Sequence, residues 1–185
     1  MKRELWYEVI VRDRQGKLVS RERRRSRSFL KQWNQLMYVQ MTGRSLPGVM
    51  RTSGATFTLS DDANNFRMDG AGSNYGIVCG TGDTAVAIDD YALAMLIEHG
   101  VGAGLFNYQA GTVSAVSIAG SHAKFVNSRT ALNNSGGLIT VEEVGIYTRA
   151  GPSTYVCGIR DVLETPQDVP DGGGITIDYT LEVVA

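Results

Sequence analysis

From Tyr75 onward the chain is a succession of short β-type runs separated by clusters of Gly, Ser, Asn and Asp, and this punctuation leaves few folds open to it. The runs read YGIVCG, TAVAID, GLFNYQ, TVSAVSIAG, HAKFVNSRTAL, LITVEEVGIYT, TYVCGIRDVL and ITIDYTLEV. In the last, Ile175, Ile177, Tyr179, Leu181 and Val183 share one face of a strand and Thr176, Asp178, Thr180 and Glu182 the other, because successive strand side chains alternate. About eight such runs, spaced by turns, predict a mainly β chain: an antiparallel β-sandwich or barrel of jelly-roll-like type. With 185 residues, 43% of them hydrophobic and 20% charged, the chain can bury a core of that kind. Segment 89–100, DDYALAMLIEHG, is compatible with a short helix or with a crossing loop.

The first 44 residues have a different texture. LWYEVIV (5–11) has strand composition, DRQG (13–16) suits a tight turn, and KLVSRER completes a hairpin. Ser28 can then cap a helix whose apolar face carries Phe29, Trp33, Leu36, Met37 and Met41, with Gly43 as its stop. This reading divides the chain into a hairpin-helix arm at 1–44, ahead of the sandwich, and a β-sandwich body at 45–185. GRSLPG (43–48) reads as a linker and 60–74 as a long polar loop.

Charge follows the same division. Residues 1–31 hold eleven Lys/Arg against four Asp/Glu, a net of +7; residues 32–185 hold seven against fifteen, a net of −8, so the whole-chain value of −1 describes neither part. The stretch RERRRSRSFL (21–30) alone carries five arginines. On a strand Arg21, Arg23, Arg25 and Arg27 share one face, with Arg24 on the other. Such a row could neutralise phosphates beside the aromatic residues Trp6, Tyr7, Phe29 and Trp33, as in a single-stranded nucleic-acid binder. A membrane surface is a poor match, because the polar face of the expected helix is Gln and Asn (Gln32, Asn34, Gln35, Gln40) rather than Lys and Arg. No apolar run approaches the ~20 residues of a membrane span, and the charged start does not suit a signal peptide. The reading preferred here is docking or self-assembly, with Arg21, Arg23, Arg24, Arg25, Arg27, Phe29 and Trp33 as contact residues between a basic arm and an acidic body.

Reactive constellations are scarce. Cys79 and Cys157 sit in apolar runs (GIVCG, YVCGI), where a thiol behaves as a small buried hydrophobe. His99 and His122 have no neighbouring Cys, Ser or carboxylate in a nucleophile or metal arrangement. Glu142 and Glu143, adjacent on a strand, point to opposite faces. The Asp61-Asp62 and Asp89-Asp90 pairs suit turns. Loop 61–69 offers oxygen ligands without the EF-hand order. GAGSNYG and GTGDT lack the Gly-Lys-Ser/Thr of a phosphate loop. No catalytic residue, metal or cofactor is therefore expected.

Three stretches of the C-terminal half, YGIVCGTGDTAVAIDDYALAMLIEHG, NNSGGLITVEEVGIYT and RDVLETPQDVPDGGGITIDYTLEV, resemble small bacteriophage virion structural proteins. The likeness lies in the order of a Gly-Thr-Gly segment, DDYAL, an EVGIY strand and a closing strand launched by VPDGGG, across about residues 75–183. EVGIY and the final strand are also similar to β-domains of phage tail and fibre proteins. The resemblance implies a non-enzymatic virion protein, made in a bacterial cytoplasm and carried in the particle, with other virion proteins and further copies of itself as partners. Capsid decoration or cement is the first placement it implies, and tail, neck or baseplate the second. A single-stranded nucleic-acid-binding module remains the alternative from another class.

Overall fold

The computed structural model describes residues 2–26, 28–61 and 66–184. Its N-terminal elements are strands β1 (Lys2–Arg12) and β2 (Leu18–Ser26), helix α1 (Lys31–Thr42), and strands β3 (Leu46–Met50) and β4 (Thr56–Leu59). Next come β5 (Gly76–Gly80), β6 (Phe106–Tyr108), β7 (Thr112–Val113) and β8 (Ser117–Ala119). The long strands close the chain: β9 (His122–Asn133), β10 (Ile139–Arg149), β11 (Tyr155–Val169) and β12 (Gly174–Val184). The larger sheet runs β2-β1-β12-β9-β6, with β7 and β8 also on β9; the smaller runs β11-β10-β5; β3 and β4 form a separate hairpin. Among the described residues the strands pair antiparallel. The chain is mainly β, an open sandwich and not a closed barrel.

Period-two alternation builds the core. Leu5, Tyr7, Val9 and Val11 of β1 and Ile175, Ile177 and Tyr179 of β12 face Ile77 and Cys79 of β5, Ile139, Val141, Val144 and Ile146 of β10, and Ile159 and Leu163 of β11. The core-facing set of β10 switches from Ile139 and Val141 to Val144 and Ile146 across the register shift between Val141 and Glu143, where the ladder steps from Gln167 to Val162 on β11. Gly145 supports the close strand packing: a Cβ there would lie 2.6 Å from the Ile159 carbonyl oxygen.

The structure departs from the sequence reading in four places. First, the segment read as an arm is woven into the body. β1 pairs with β12 in unbroken register from Lys2↔Val184 to Arg12↔Gly174, and its four apolar residues belong to the main core. An alternating strand needs a face to cover, and the inner face of the smaller sheet supplies it. Second, α1 begins after Leu30 with no side-chain cap, and Phe29 lies before it, bridged to Ile159. The helix buries Gln32, Leu36 and Val39 while Met41 is exposed. Leu36 and Val39 pack with Val49, Leu59, Ala150 and Val156. Third, part of the expected linker is strand β3. Fourth, TAVAID forms no strand. Of the two alternatives for 89–100 the loop is found, with isolated bridges Gly80↔Leu96 and His99↔Phe106.

Deleting residues 1–26 tests the first departure. The deletion strips β12 of a partner and the core of four residues, so thermal unfolding followed by circular dichroism should lose its cooperative transition; an unchanged transition would make the hairpin an appendage.

Candidate functional site

The arginine-bearing strand β2 lies at the rim of the larger sheet, paired only with β1 among the described residues. Its two faces do different things. On the outer face Arg21 pairs with Glu8 at 2.8 Å, Arg25 lies 3.7 Å from Glu4, and Arg23 stacks over the Trp6 ring at 5.2 Å. These arginines remain exposed. Arg21 and Arg23 border an open cleft lined by Trp6, Glu8, Val126, Asp178 and Thr180, in which Asp178 Oδ1 is buried without a hydrogen-bond partner among the described residues. On the inner face Arg24 reaches Glu164 at 2.8 Å, Ser20 donates to Gln167 at 2.6 Å, and Tyr7 donates to Glu22 at 3.2 Å. This polar seam joins β2 to β11 and closes one side of the sandwich. Arg27 lies outside the described residues.

Phe29 and Trp33 are brought together, their ring centres 5.0 Å apart, with Phe66 edge-on to Trp33 at 5.2 Å. Both are half-buried against the main core. Packing accounts for much of their surface; one flank remains open to an apolar groove.

The strongest local chemistry centres on Arg160, which the sequence reading did not single out, and on Glu143 and Asp90, which it read only as strand and turn residues. Arg160 on β11 is 2% exposed and Glu143 on β10 is fully buried. Arg160 Nε donates to Glu143 at 2.7 Å, Nη1 to Asp90 at 2.7 Å, and Nη2 to the Thr84 carbonyl and hydroxyl at 2.9 and 3.0 Å. Glu143 also accepts from the backbone N–H groups of Gly82, Ala94 and Met95 at 3.3, 3.1 and 2.8 Å. The Tyr147 hydroxyl accepts from Leu93 N–H at 2.8 Å. Burial works against the Arg160 charge, but Glu143 and Asp90 outweigh it and hold its pKa above the ordinary value. The loop from Thr81 to Glu98 is thereby fastened over the outer face of the smaller sheet, above Val78, Tyr147 and Cys157. Gly80 and Gly82 are required by the same contact, since a Cβ at either would come within 2.6 Å of Glu143 Oε1. A signal existed: a charge inside an apolar run, as in VCGIRDVL and VEEVGIY, marks a buried ion pair.

A second guanidinium fastens the preceding segment. Arg129, 2% exposed, donates to the carbonyls of Gln109, Ile77 and Gly72 at 2.8, 2.7 and 2.6 Å, and stacks on Tyr108 at 4.7 Å. Burial lowers its pKa. Cys79 and Cys157 are free, buried thiols, and burial pushes Cys79 up to about 12, far from a reactive thiolate. His99 accepts from Tyr108 N–H, and His122 meets Glu182 at 2.8 Å. In loop 61–69, Arg67 donates to both oxygens of Asp69 and Asp61 accepts from Gln40, while Asp62 and the next three residues lie outside the described set. Among the described residues no three His, Cys, Asp or Glu gather as a metal site, and no helix is long and apolar enough to cross a membrane.

No protein-family model, curated protein or solved structure matches this chain.

Asp161, buried beneath the polar seam, yields a pH test. It accepts from the Tyr179 hydroxyl at 2.9 Å, yet burial outweighs its hydrogen bonds to Ser26, Ser28 and Tyr179 and raises its pKa. An aspartate with a raised native pKa binds protons more readily folded than unfolded. Its contribution therefore favours folding below the unfolded pKa and is lost as pH rises through the folded one. Asp161→Asn should melt at or above wild type at neutral pH, with the gap shrinking as pH falls. Wild type gaining on the variant as pH rises would contradict this.

Proposed function

We propose that this chain is a non-enzymatic structural protein of a bacteriophage particle, of the decoration or cement kind, that acts by presenting surfaces to other particle proteins. The observation that carries the reading is the use made of its ionisable groups. Arg160, Glu143, Asp90 and Arg129 fix loops onto the sandwich, and Arg24 and Glu164 tie its sheets together. What faces outward is a ladder of Arg21, Arg23 and Arg25 interleaved with Glu4, Trp6 and Glu8. A rigid frame with a patterned polar face suits register-specific docking. The order of motifs in residues 75–183 that resembles virion proteins supports the same reading.

Docking here works through the rim and outer face of a sheet, because β1 cannot leave β12 without opening the core. A tail, neck or baseplate station is the second reading, favoured by the likeness of EVGIY and the closing strand to tail and fibre β-domains. The nucleic-acid reading loses support from the aromatic residues: Arg23 covers Trp6, and Phe29 and Trp33 pack on each other. Single-strand binders need such faces free for stacking.

Quantitative mass spectrometry of gradient-purified particles, from the phage genome that encodes the chain, tests the proposal. The chain should be present at a fixed ratio to the major shell protein, with density on the head. Density on the tail moves it to the second station, and absence from the particles overturns the virion reading.

A further inference from the structure

The exposed edges of the two main sheets are treated unequally. β2, at one rim of the larger sheet, carries Arg21, Arg23, Arg24 and Arg25, and charge of this kind discourages strand-to-strand association. β6 is covered by the chain before it, through Phe106 N–H to the Glu98 carbonyl and Gly100 N–H to the Phe106 carbonyl. In the smaller sheet β5 is covered through Ile97 N–H to Cys79 and Thr81 N–H to Met95. β11 is covered at its start by Thr52 and further along by the segment before α1, through Leu30 N–H to the Gly158 carbonyl and Arg160 N–H to the Ser28 carbonyl.

One edge is covered only just ahead of its start, where Gly111 N–H donates to the Gly70 carbonyl. Residues 112–119 run along β9 as β7 and β8, and on their other side no strand pairs with them among the described residues. The stretch 109–121, QAGTVSAVSIAGS, contains no charged residue and no proline. Its larger side chains stand in solvent, Val116 at 65% and Ile118 at 78% exposed.

The faces align as well. Ile118 lies opposite Ala123, and Ala123 opposite Val183; residues directly opposite in a ladder share a face. Val116 joins Phe125, Leu181 and Val183, together with Trp33 and Met37, in lining an open apolar groove of about 410 Å³. Here the larger sheet overruns the smaller, so its inner face continues past the core uncovered. An edge made of two short strands with no strand partner on its outer side among the described residues, uncharged and apolar on the groove side, is built to accept another strand.

We propose that two copies of this chain associate about a two-fold axis by antiparallel pairing of Thr112–Ala119 with the same segment of the second copy. The occupant follows from the surfaces available. The arginine rim would set charge against an apolar strip, and the remaining edges are covered. The strip lacks charge that a two-fold would bring into self-repulsion, and end-to-end antiparallel pairing sets Val113 of each copy opposite Ile118 of the other, with Val116 beside the axis. The pairing makes one continuous sheet across both copies and extends the apolar groove face over the junction. This deepens the assembly reading above and names its surface, but it does not depend on the chain's presence in a particle.

Sedimentation or light scattering across a concentration series, with Val116→Lys and Ile118→Lys as variants and Leu18→Lys on the opposite rim as control, tests it. Both altered positions are exposed, so circular dichroism and melting temperature should match wild type. Wild type and the control should be dimers, and each edge variant a monomer. A dimer that survives both edge variants overturns the choice of surface while leaving self-assembly standing. A wild-type monomer at the highest soluble concentration overturns the pairing, and finding that monomer in purified particles would still support the virion reading.

Discussion

Arg160 and Glu143 meet in the layer between the smaller sheet and the loop that covers it, and most of what is unusual in the fold follows from that contact. A buried ion pair is costly to desolvate and stabilises only when its remaining donors and acceptors are met. Here they are met by Asp90, Thr84 and the backbone of Gly82, Ala94 and Met95. The pair thus does for a loop what a hydrogen-bonded ladder does for a strand. It supplies partners for amides that would otherwise be buried unpaired, and it lets eighteen residues from Thr81 to Glu98 lie flat without helix or strand. Removing one member of such a pair typically costs roughly 3–5 kcal/mol, because the other is left charged and buried.

The same economy of charge shapes the surface. Arginine on the inner face of β2 joins the sheets through Glu164, and arginine on its outer face both neutralises Glu4 and Glu8 and guards a sheet edge. The contrast with the uncharged strip at 112–119 gives the molecule a polar, patterned rim and an apolar, unguarded one. A particle component that must bind neighbours in one register and avoid indiscriminate aggregation has use for both.

Much of the sandwich was legible in the sequence. β1, β2, β9, β10, β11 and β12 fall on runs of strand composition, β12 with clear alternation, and Gly43 stops the helix in the left-handed conformation at φ 61°. The hairpin reads as an arm because its strands and turn form a self-contained local unit, followed by a linker-like stretch. Arg21, Arg23, Arg24 and Arg25 lie on β2, while Leu5, Tyr7, Val9 and Val11 of β1 alternate as regularly as the closing strand they pair with. Long-range partners of that kind, separated by nearly the whole chain, leave no local trace. Loop 81–98 was opaque for a related reason: its conformation is dictated by side chains on β10 and β11, not by its own periodicity. Of the candidate contact residues, Arg21, Arg23, Arg24 and Arg25 lie on the rim as a strand pattern requires, whereas Phe29 and Trp33 owe their place to packing.

Amide hydrogen exchange on wild type and Glu143→Gln, read residue by residue, tests the claim that a buried charge holds the loop layer in place. The glutamine keeps the length of the side chain but turns one acceptor into a donor facing donors. The account predicts that Gly82, Ala94 and Met95 are protected in wild type and exchange much faster in the variant, while Ile177 and Tyr179 of β12 stay protected. Unchanged protection across 81–98 in the variant would show that the loop holds itself, and would contradict the account.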